Sequence, residues 1–497
     1  MTDNKPNILL LFCDQFRWDC ISALGNSELI TPNLDRLSRE GTSFTRAYSP
    51  SPVCVPARNS KFWGLYPCNT GVCDNDRTFK PFSENVMEIL GEKGYYSHGI
   101  GKMHFAVDPT GLNGFSSRER QEEMASDTET DEYLKYLTDK GYNRVFDVHG
   151  QRSEMYYIPQ ISLLPQQDHP TNWVGDRSVA FLREYDRSEP FFLMSSFIHP
   201  HPPFSPPASW NKLYRLPEVS HPYVPDDFDD LLVYINHFQN RYKYRSNGLD
   251  RNLIRTIRAF YFSCVSFIDH QIGRIISELE AKGILDKTLI IFTSDHGEML
   301  GDHNSFGKRC MLDPSARIPM IARYPARFRA GSRCDLPVSL VDILPTLASA
   351  AGIDTSGIQT DGIDLALTAA DKTDREYVFS QFNDAGYGLY MAAGRYEKYI
   401  YSASDDKSLY FDRRIDELES KNLAGLPETA SGALHMKQVL LDFLSANLPD
   451  AVENGDFKKY PKLSVPEDQD ACLFYQDHTW CRDAEQEMPE GYKVRLF

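Results

Sequence analysis

Pro6-Asn7-Ile8-Leu9-Leu10-Leu11-Phe12-Cys13-Asp14-Gln15 is the stretch on which the fold turns. Its apolar residues run without alternation from Ile8 to Cys13, the pattern of a strand buried on both faces, and two polar residues close it. Thr31-Pro32-Asn33 then predicts a helix, with Thr31 as N-cap, Pro32 at the first helical position and Gly41 just past the end. Further strands are expected at Ser97–Gly101, Pro190–Ile198, Thr288–Thr293 and Ile318–Tyr324. Helices between them include Ser83–Glu92 and Ser266–Lys282, the latter with Ile268, Ile272, Ile275, Ile276 and Leu279 on one face. Strands alternating with helices predict an α/β sandwich around a mainly parallel central sheet.

Two stretches interrupt the alternation, an acidic one from Ser117 to Lys140 and one rich in Pro, Tyr and Asn from Ser205 to Asp250. Both read as decorations around the sheet. Beyond about residue 370 the strands crowd together, at Tyr377–Phe382, Gly388–Ala393, Lys398–Ser402 and Ser408–Asp412, before a helix at Ala433–Leu444. The expected division is a catalytic α/β domain over 1–370, a small C-terminal domain with an antiparallel sheet and a helix over 371–465, and a tail over 466–497. The tail's Phe474, Tyr475, Trp480 and Tyr492 read as docking anchors, on the chain itself or on a second copy in a homo-oligomer.

A net charge of −17 repels phosphate backbones, which argues against a nucleic-acid partner. The Ile8–Cys13 run is too short to span a bilayer, and no basic front or cleavage site marks it as a signal, so a cytoplasmic protein with no membrane partner is expected. Ten cysteines in 497 residues are too sparse for a disulfide framework and read as mostly buried thiols.

Ligands of such sheets sit beyond the carboxyl ends of the strands. Those ends carry Asp14-Gln15, Lys102 with His104, His199 with His201, and Asp295-His296. Singly, each residue is more often a cap, a turn former or a packed histidine; together they form a set of hard oxygen donors with one imidazole. Such a set suits Ca²⁺, Mg²⁺ or Mn²⁺ better than Zn²⁺.

Cys54-Val55-Pro56-Ala57-Arg58 resembles the signature of the type I, formylglycine-dependent sulfatases of the alkaline phosphatase superfamily. The resemblance extends through Thr31–Leu37, Gly101-Lys102-Met103-His104, Ser294-Asp295-His296-Gly297-Glu298, Gly301-Asp302-His303, Lys308 and Asp342–Thr346. It implies an alkaline-phosphatase-like sandwich and a sulfuric ester hydrolase. It also implies a formylglycine made from Cys54 by a formylglycine-generating or anaerobic sulfatase-maturing enzyme.

By the same resemblance, one divalent metal would be held by Asp14, Gln15, the modified Cys54, Asp295 and His296. Calcium is the family's usual ion, an imidazole ligand favours manganese, and magnesium suits the same oxygens. The implied catalytic set is Cys54, Arg58, Lys102, His104, His201, Asp295 and Lys308, with Asn75, His199 and His303 at the substrate. A small sulfated carbohydrate is the expected substrate. Gln15 and His296 depart from the family's commoner Asp and Asn and resemble phosphonate monoester hydrolases of the superfamily. A phosphonate or phosphodiester hydrolase is therefore one alternative, and a choline sulfatase is another.

Overall fold

The computed structural model describes residues 5–123, 127–142, 145, 147–152, 156–243 and 250–467. Its principal strands are β1 Asn7–Asp14, β2 Thr42–Phe44, β3 Tyr96–Gly101, β4 Ser117–Arg120, β5 Phe191–Pro200, β6 Thr288–Ser294, β7 Met320–Arg323 and β8 Ser332–Cys334. Four more follow, β9 Val378–Phe382, β10 Leu389–Ala393, β11 Glu397–Ser402 and β12 Lys407–Asp412. The principal helices are α1 Pro32–Glu40, α2 Cys54–Trp63, α3 Val86–Glu92, α4 Glu132–Asp139, α5 Pro170–Glu184, α6 Arg251–Ala281, α7 Ile343–Ala350 and α8 Ala430–Asn447.

The first eight strands form one sheet in the order β4-β3-β5-β1-β6-β7-β2-β8. β1 lies near its middle, parallel to both β5 and β6, and only β7 runs against the rest. Successive β1 side chains point to opposite faces. Leu9, Leu11 and Cys13 enter a core formed with α1, α4, α5 and α6, while Ile8, Leu10 and Phe12 enter one formed with α2, α3 and α7. The unbroken apolar run thus reflects helices on both faces of the sheet, the expected sandwich.

Three details differ from the sequence expectation. Thr31 precedes α1, but its hydroxyl accepts from Ser22 N–H, and the Asp269 carboxylate of α6 caps the N–H groups of Asn33 and Leu34 instead. α6 begins at Arg251, capped by Asp250, rather than at Ser266. Its middle, Ile257–Asp269, is buried on nearly every side, so no amphipathic stripe marks it. The acidic stretch from Ser117 contains the edge strand β4 and helix α4 rather than loop alone.

The antiparallel sheet β9-β10-β11-β12 presents two apolar faces. One packs on Met299, Cys310, Met311 and Leu312 of the catalytic part, and the other, rich in tyrosine, packs on α8. The expected tail lies, from residue 468 on, outside the described residues. Among the described residues no helix is long and apolar enough to cross a membrane, and the eight described cysteines are all free.

Candidate active site

α2 begins at Cys54 itself, its first turn containing Pro56, which lacks an N–H where a helix needs no intrahelical donor. The Val55 N–H is met by Asn75 Oδ1 at 3.0 Å. Asn75 therefore serves the helix start, and substrate contact is not where the structure places its acceptor. Arg58 follows one turn later on the same face. It is fully buried and binds Asp14 (3.1 Å), Asp295 (2.9 Å), Ser196 Oγ (3.1 Å) and the Lys102 carbonyl (2.6 Å). Segments from four strands are thereby tied to one guanidinium.

Tight backbone approaches make this convergence feasible. A Cβ on Gly297 would lie 2.1 Å from the Pro314 carbonyl oxygen, and one on Gly101 would lie 2.0 Å from that of Ser196. Gln15 and His104 both adopt left-handed backbone, with φ of 66° and 53°, conformations that cost a side-chain-bearing residue about 1–3 kcal/mol.

Asp14, Cys54, Asp295 and His296 offer ligand atoms that lie within 4.8 Å of one another, all buried. His296 Nδ1 hydrogen-bonds the Gly297 carbonyl at 3.0 Å, which turns Nε2 toward Cys54 Sγ at 3.4 Å. Gln15 donates its amide N–H to the Glu298 carboxylate, so its Oε1 is a buried acceptor without a partner. Two carboxylates and an imidazole nitrogen thus lie about one space, with the unpartnered amide oxygen of Gln15 next in sequence to Asp14, and this donor set fits a divalent cation. Burial and the neighbouring Asp14 raise the Asp295 carboxyl above its ordinary range, against His296 and Arg58. Burial also disfavours ionised Asp14, yet Lys102, His201, Lys308 and Arg58 hold it well below that range.

On the other side of Cys54 stand the cations. Lys308 Nζ is 2.8 Å from Cys54 Sγ and 2.9 Å from His201 Nε2. His201 Nδ1 is 2.7 Å from the Pro202 carbonyl, so Nδ1 donates there and Nε2 accepts from Lys308. Lys102 Nζ reaches Asp14 at 2.7 Å. Burial and Asp14 push the Cys54 thiol up, but Lys102 and Lys308 outweigh them and hold it well below its ordinary range. His104, on the left-handed turn after β3, hydrogen-bonds Cys54 and keeps a buried Nδ1 without a partner.

Two other candidates are engaged elsewhere. His199 hydrogen-bonds Thr171 (3.2 Å) and Ser205 (3.4 Å) through its two ring nitrogens, and burial lowers it to about 3. It is a neutral packing histidine behind His201. His303 Nε2 meets the Glu419 carbonyl at 3.2 Å, and its ring abuts Tyr223. His199 has both ring nitrogens engaged, whereas His303 keeps a buried Nδ1 without a partner.

Three residues near Cys54 escaped the sequence reading: Glu123, Arg152 and Tyr156. Glu123 accepts from Lys102 Nζ at 2.5 Å and from Arg152 at 2.7 Å, and the Tyr156 ring stands against His201. They lie in or just beyond a stretch whose only signal was its acidity.

Comparison with known proteins accords with this geometry. Residues 6–353 match the sulfatase family. The chain belongs to the sulfatase family. It is accordingly a sulfuric ester hydrolase of the alkaline-phosphatase-like fold. Residues 301–446 also match the C-terminal region of N-sulphoglucosamine sulphohydrolase. An arylsulfatase of Clostridium perfringens (strain 13 / Type A) is 29% identical over 485 residues, covering 92% of this chain and 98% of that protein. A choline-sulfatase of Rhizobium meliloti (strain 1021) is 31% identical over 450 residues, covering 86% and 84%. The crystal structure of a phosphonate monoester hydrolase of Agrobacterium radiobacter superposes with a TM-score of 0.78 at 26% identity, covering 89% of this chain and 96% of that one.

Proposed function

We propose that this sulfatase cleaves the sulfate monoester of a small carbohydrate, using a formylglycine derived from Cys54 beside one divalent cation. The observation that carries the reading is the position of Cys54 Sγ, between Lys308 Nζ at 2.8 Å and His296 Nε2 at 3.4 Å, inside the four-residue ligand cluster. A sulfate ester is anionic and resists anionic attack, so the site must supply positive charge and an activated oxygen together. Asp14, Gln15, Asp295 and His296 would hold the metal, which adds positive charge at the nucleophile; calcium, manganese and magnesium all suit these donors. The hydrated aldehyde supplies two hydroxyls on one carbon.

The chain's own groups do the rest. Asp295, whose carboxyl is raised, is placed to take the proton of the attacking hydroxyl. Arg58 fixes that carboxylate and Asp14 in register. Lys102, Lys308 and His201 face the space where sulfate oxygens would lie. In the Lys308–His201 pair Lys308 carries the hydrogen, which makes it the donor to the leaving alcohol. His104 is assigned to deprotonate the second hydroxyl so that sulfate is expelled.

Cys54→Ser tests this order of events. A serine offers one hydroxyl and no means of expelling sulfate, so one equivalent of alcohol should appear per enzyme and release should then stop. Sustained turnover by that variant would overturn the two-hydroxyl mechanism. The carbohydrate substrate is supported by the match to N-sulphoglucosamine sulphohydrolase. Gln15 and His296 favour a second reading, phosphonate ester hydrolysis, and the kcat/KM ratio for an aryl sulfate against an aryl phosphonate monoester separates the two.

A further inference from the structure

Glu123 has no part in the chemistry above, yet it is buried at its centre. Its carboxylate lies 2.5 Å from Lys102 Nζ, 2.7 Å from Arg152 Nη2 and 3.5 Å from His201 Nε2. Glu123, Cys54 Sγ and a ring nitrogen of His201 all fall within 4.8 Å of one another. Lys102 and His201 are two of the three groups assigned to the sulfate oxygens, and the third, Lys308, sits 2.9 Å from His201. Lys102 has three N–H groups, of which Asp14 and Glu123 take two.

An entering sulfate has to place its oxygens against Lys102, His201 and Lys308, close to the atom at position 54. That space already holds a carboxylate, and two anions packed against each other in a buried site repel strongly. Burial alone would raise the Glu123 carboxyl, but His201, Lys102, Arg152 and Lys308 keep it well below its ordinary range, so it stays an anion.

We propose that Glu123 is a built-in competitor for the sulfate subsite, its carboxylate holding Lys102 in the substrate-free enzyme and giving it up when a sulfate ester enters. The proposal rests on the sulfatase reading of the Cys54 cluster. Arg152 is the retaining partner: it binds Glu123 Oε1, whereas Lys102 binds Oε2, and can keep the carboxylate when Lys102 is released. Return of Glu123 would then help expel product sulfate, so one residue both weakens substrate binding and speeds clearance of the site.

The test compares matured, metal-loaded wild type with Glu123→Gln and Glu123→Asp. KM and kcat are measured on an aryl sulfate, and the dissociation constant of inorganic sulfate is measured by calorimetry. For Glu123→Gln, KM and the sulfate dissociation constant should each fall about tenfold, equivalent to about 1.4 kcal/mol. Glu123→Asp, which keeps the charge, should tighten sulfate less. Sulfate binding that is unchanged or weaker in Glu123→Gln, with kcat reduced, would make Glu123 a positioning residue for Lys102 and overturn the proposal. If none of the three proteins turns over any sulfate ester, the sulfatase reading of this site fails, while calorimetry with inorganic sulfate still decides the role of Glu123. Should Glu123→Gln fail to fold, a wild-type crystal with sulfate bound gives the answer. Glu123 displaced from Lys102 supports the proposal, and sulfate bound on Lys102 and His201 with Glu123 still in place refutes it.

Discussion

Two clusters of buried charge lie on either side of the loop that follows β6, and they are built for opposite ends. Around Cys54, Arg58, Lys102 and Lys308 face Asp14, Asp295 and Glu123 together with polar atoms that have no partner, Gln15 Oε1 and His104 Nδ1. Around Asp313, the β11 residue Lys398 binds the Asp313 carboxylate at 2.7 Å, the Met311 carbonyl at 2.9 Å and the Glu419 carboxylate. Arg317 and Arg413 close on the same aspartate at 3.2 and 3.6 Å. The Asp313 turn also accepts the N–H groups of Gly297 and Glu298 through the Ser315 and Pro314 carbonyls, so it buttresses the loop bearing Asp295 and His296. One cluster gathers candidate ligand atoms around Cys54; the other clamps the C-terminal sheet to the loop that forms the site. Burial of charge alone therefore does not mark an active site, and the distinguishing feature is a nucleophile precursor within a cluster of candidate metal-ligand atoms.

The largest effect expected from this contrast is at the nucleophile. Cys54→Ala should lower kcat/KM on a sulfate ester by about 10⁴-fold or more while leaving the fold intact, as loss of a nucleophile does elsewhere. Steady-state kinetics beside a thermal melt would show both.

The two buried lysines should then separate activity from stability. Lys308→Met removes a cation from beside an imidazole and a thiol. Its kcat/KM should drop by about 10²–10³-fold, the cost of one preorganised electrostatic donor, with little change in denaturation midpoint. Lys398→Met strands Asp313 and Glu419 and should lose about 3–5 kcal/mol of stability, with a much smaller effect on turnover by the folded enzyme. Equal losses of stability in the two variants would erase the distinction drawn here.

A smaller effect concerns the two strand-end histidines, one packed and one in the site. His199 is lowered to about 3 when folded and returns to its ordinary value near 6.5 when unfolded, so the unfolded state binds the extra proton. Its stabilising contribution is whole above pH 6.5 and is lost as pH falls toward 3. Between pH 6.5 and 5 the loss is about 2 kcal/mol. Urea titrations at pH 7 and 5 should show this loss in the wild type and a reduced one in His199→Gln.

The smallest effect is expected at Lys61, fully buried on α2 between the rings of Phe12 and Phe62, each 3.9 Å from its Nζ. Burial and Arg58 hold its ammonium well below the ordinary lysine range. Because the unfolded chain binds that proton, Lys61→Met should gain about 1–2 kcal/mol at neutral pH, the order of a poorly paired buried polar group. The gain should shrink as pH approaches 10.5. A gain that persists at high pH would mean that packing, not protonation, is responsible.

How far the sequence could be read follows from the same contrast. β1 declared itself because its apolar run is contiguous and ends in Asp14-Gln15, and the Cys54 motif through its resemblance to the sulfatase signature. The Asp313–Lys398–Glu419 clamp did not, because its members are joined only by packing of one sheet on another. Glu123 was hidden for a related reason: an acidic, polar stretch reads as surface, and only the fold turns one of its carboxylates onto Lys102. His199 shows the reverse error, in which position at a strand end suggested a ligand but internal hydrogen bonds had claimed both ring nitrogens. The hidden half of α6 adds a fourth case, since a helix buried all round carries no stripe to detect.

The most direct test of the central claim is the mass of the peptide bearing Cys54, taken from protein fractionated by its activity on a sulfate ester. The account predicts that the active fraction carries an aldehyde in place of the thiol and that activity rises in proportion to that conversion. Sustained turnover by protein whose Cys54 is wholly an unmodified thiol would contradict it.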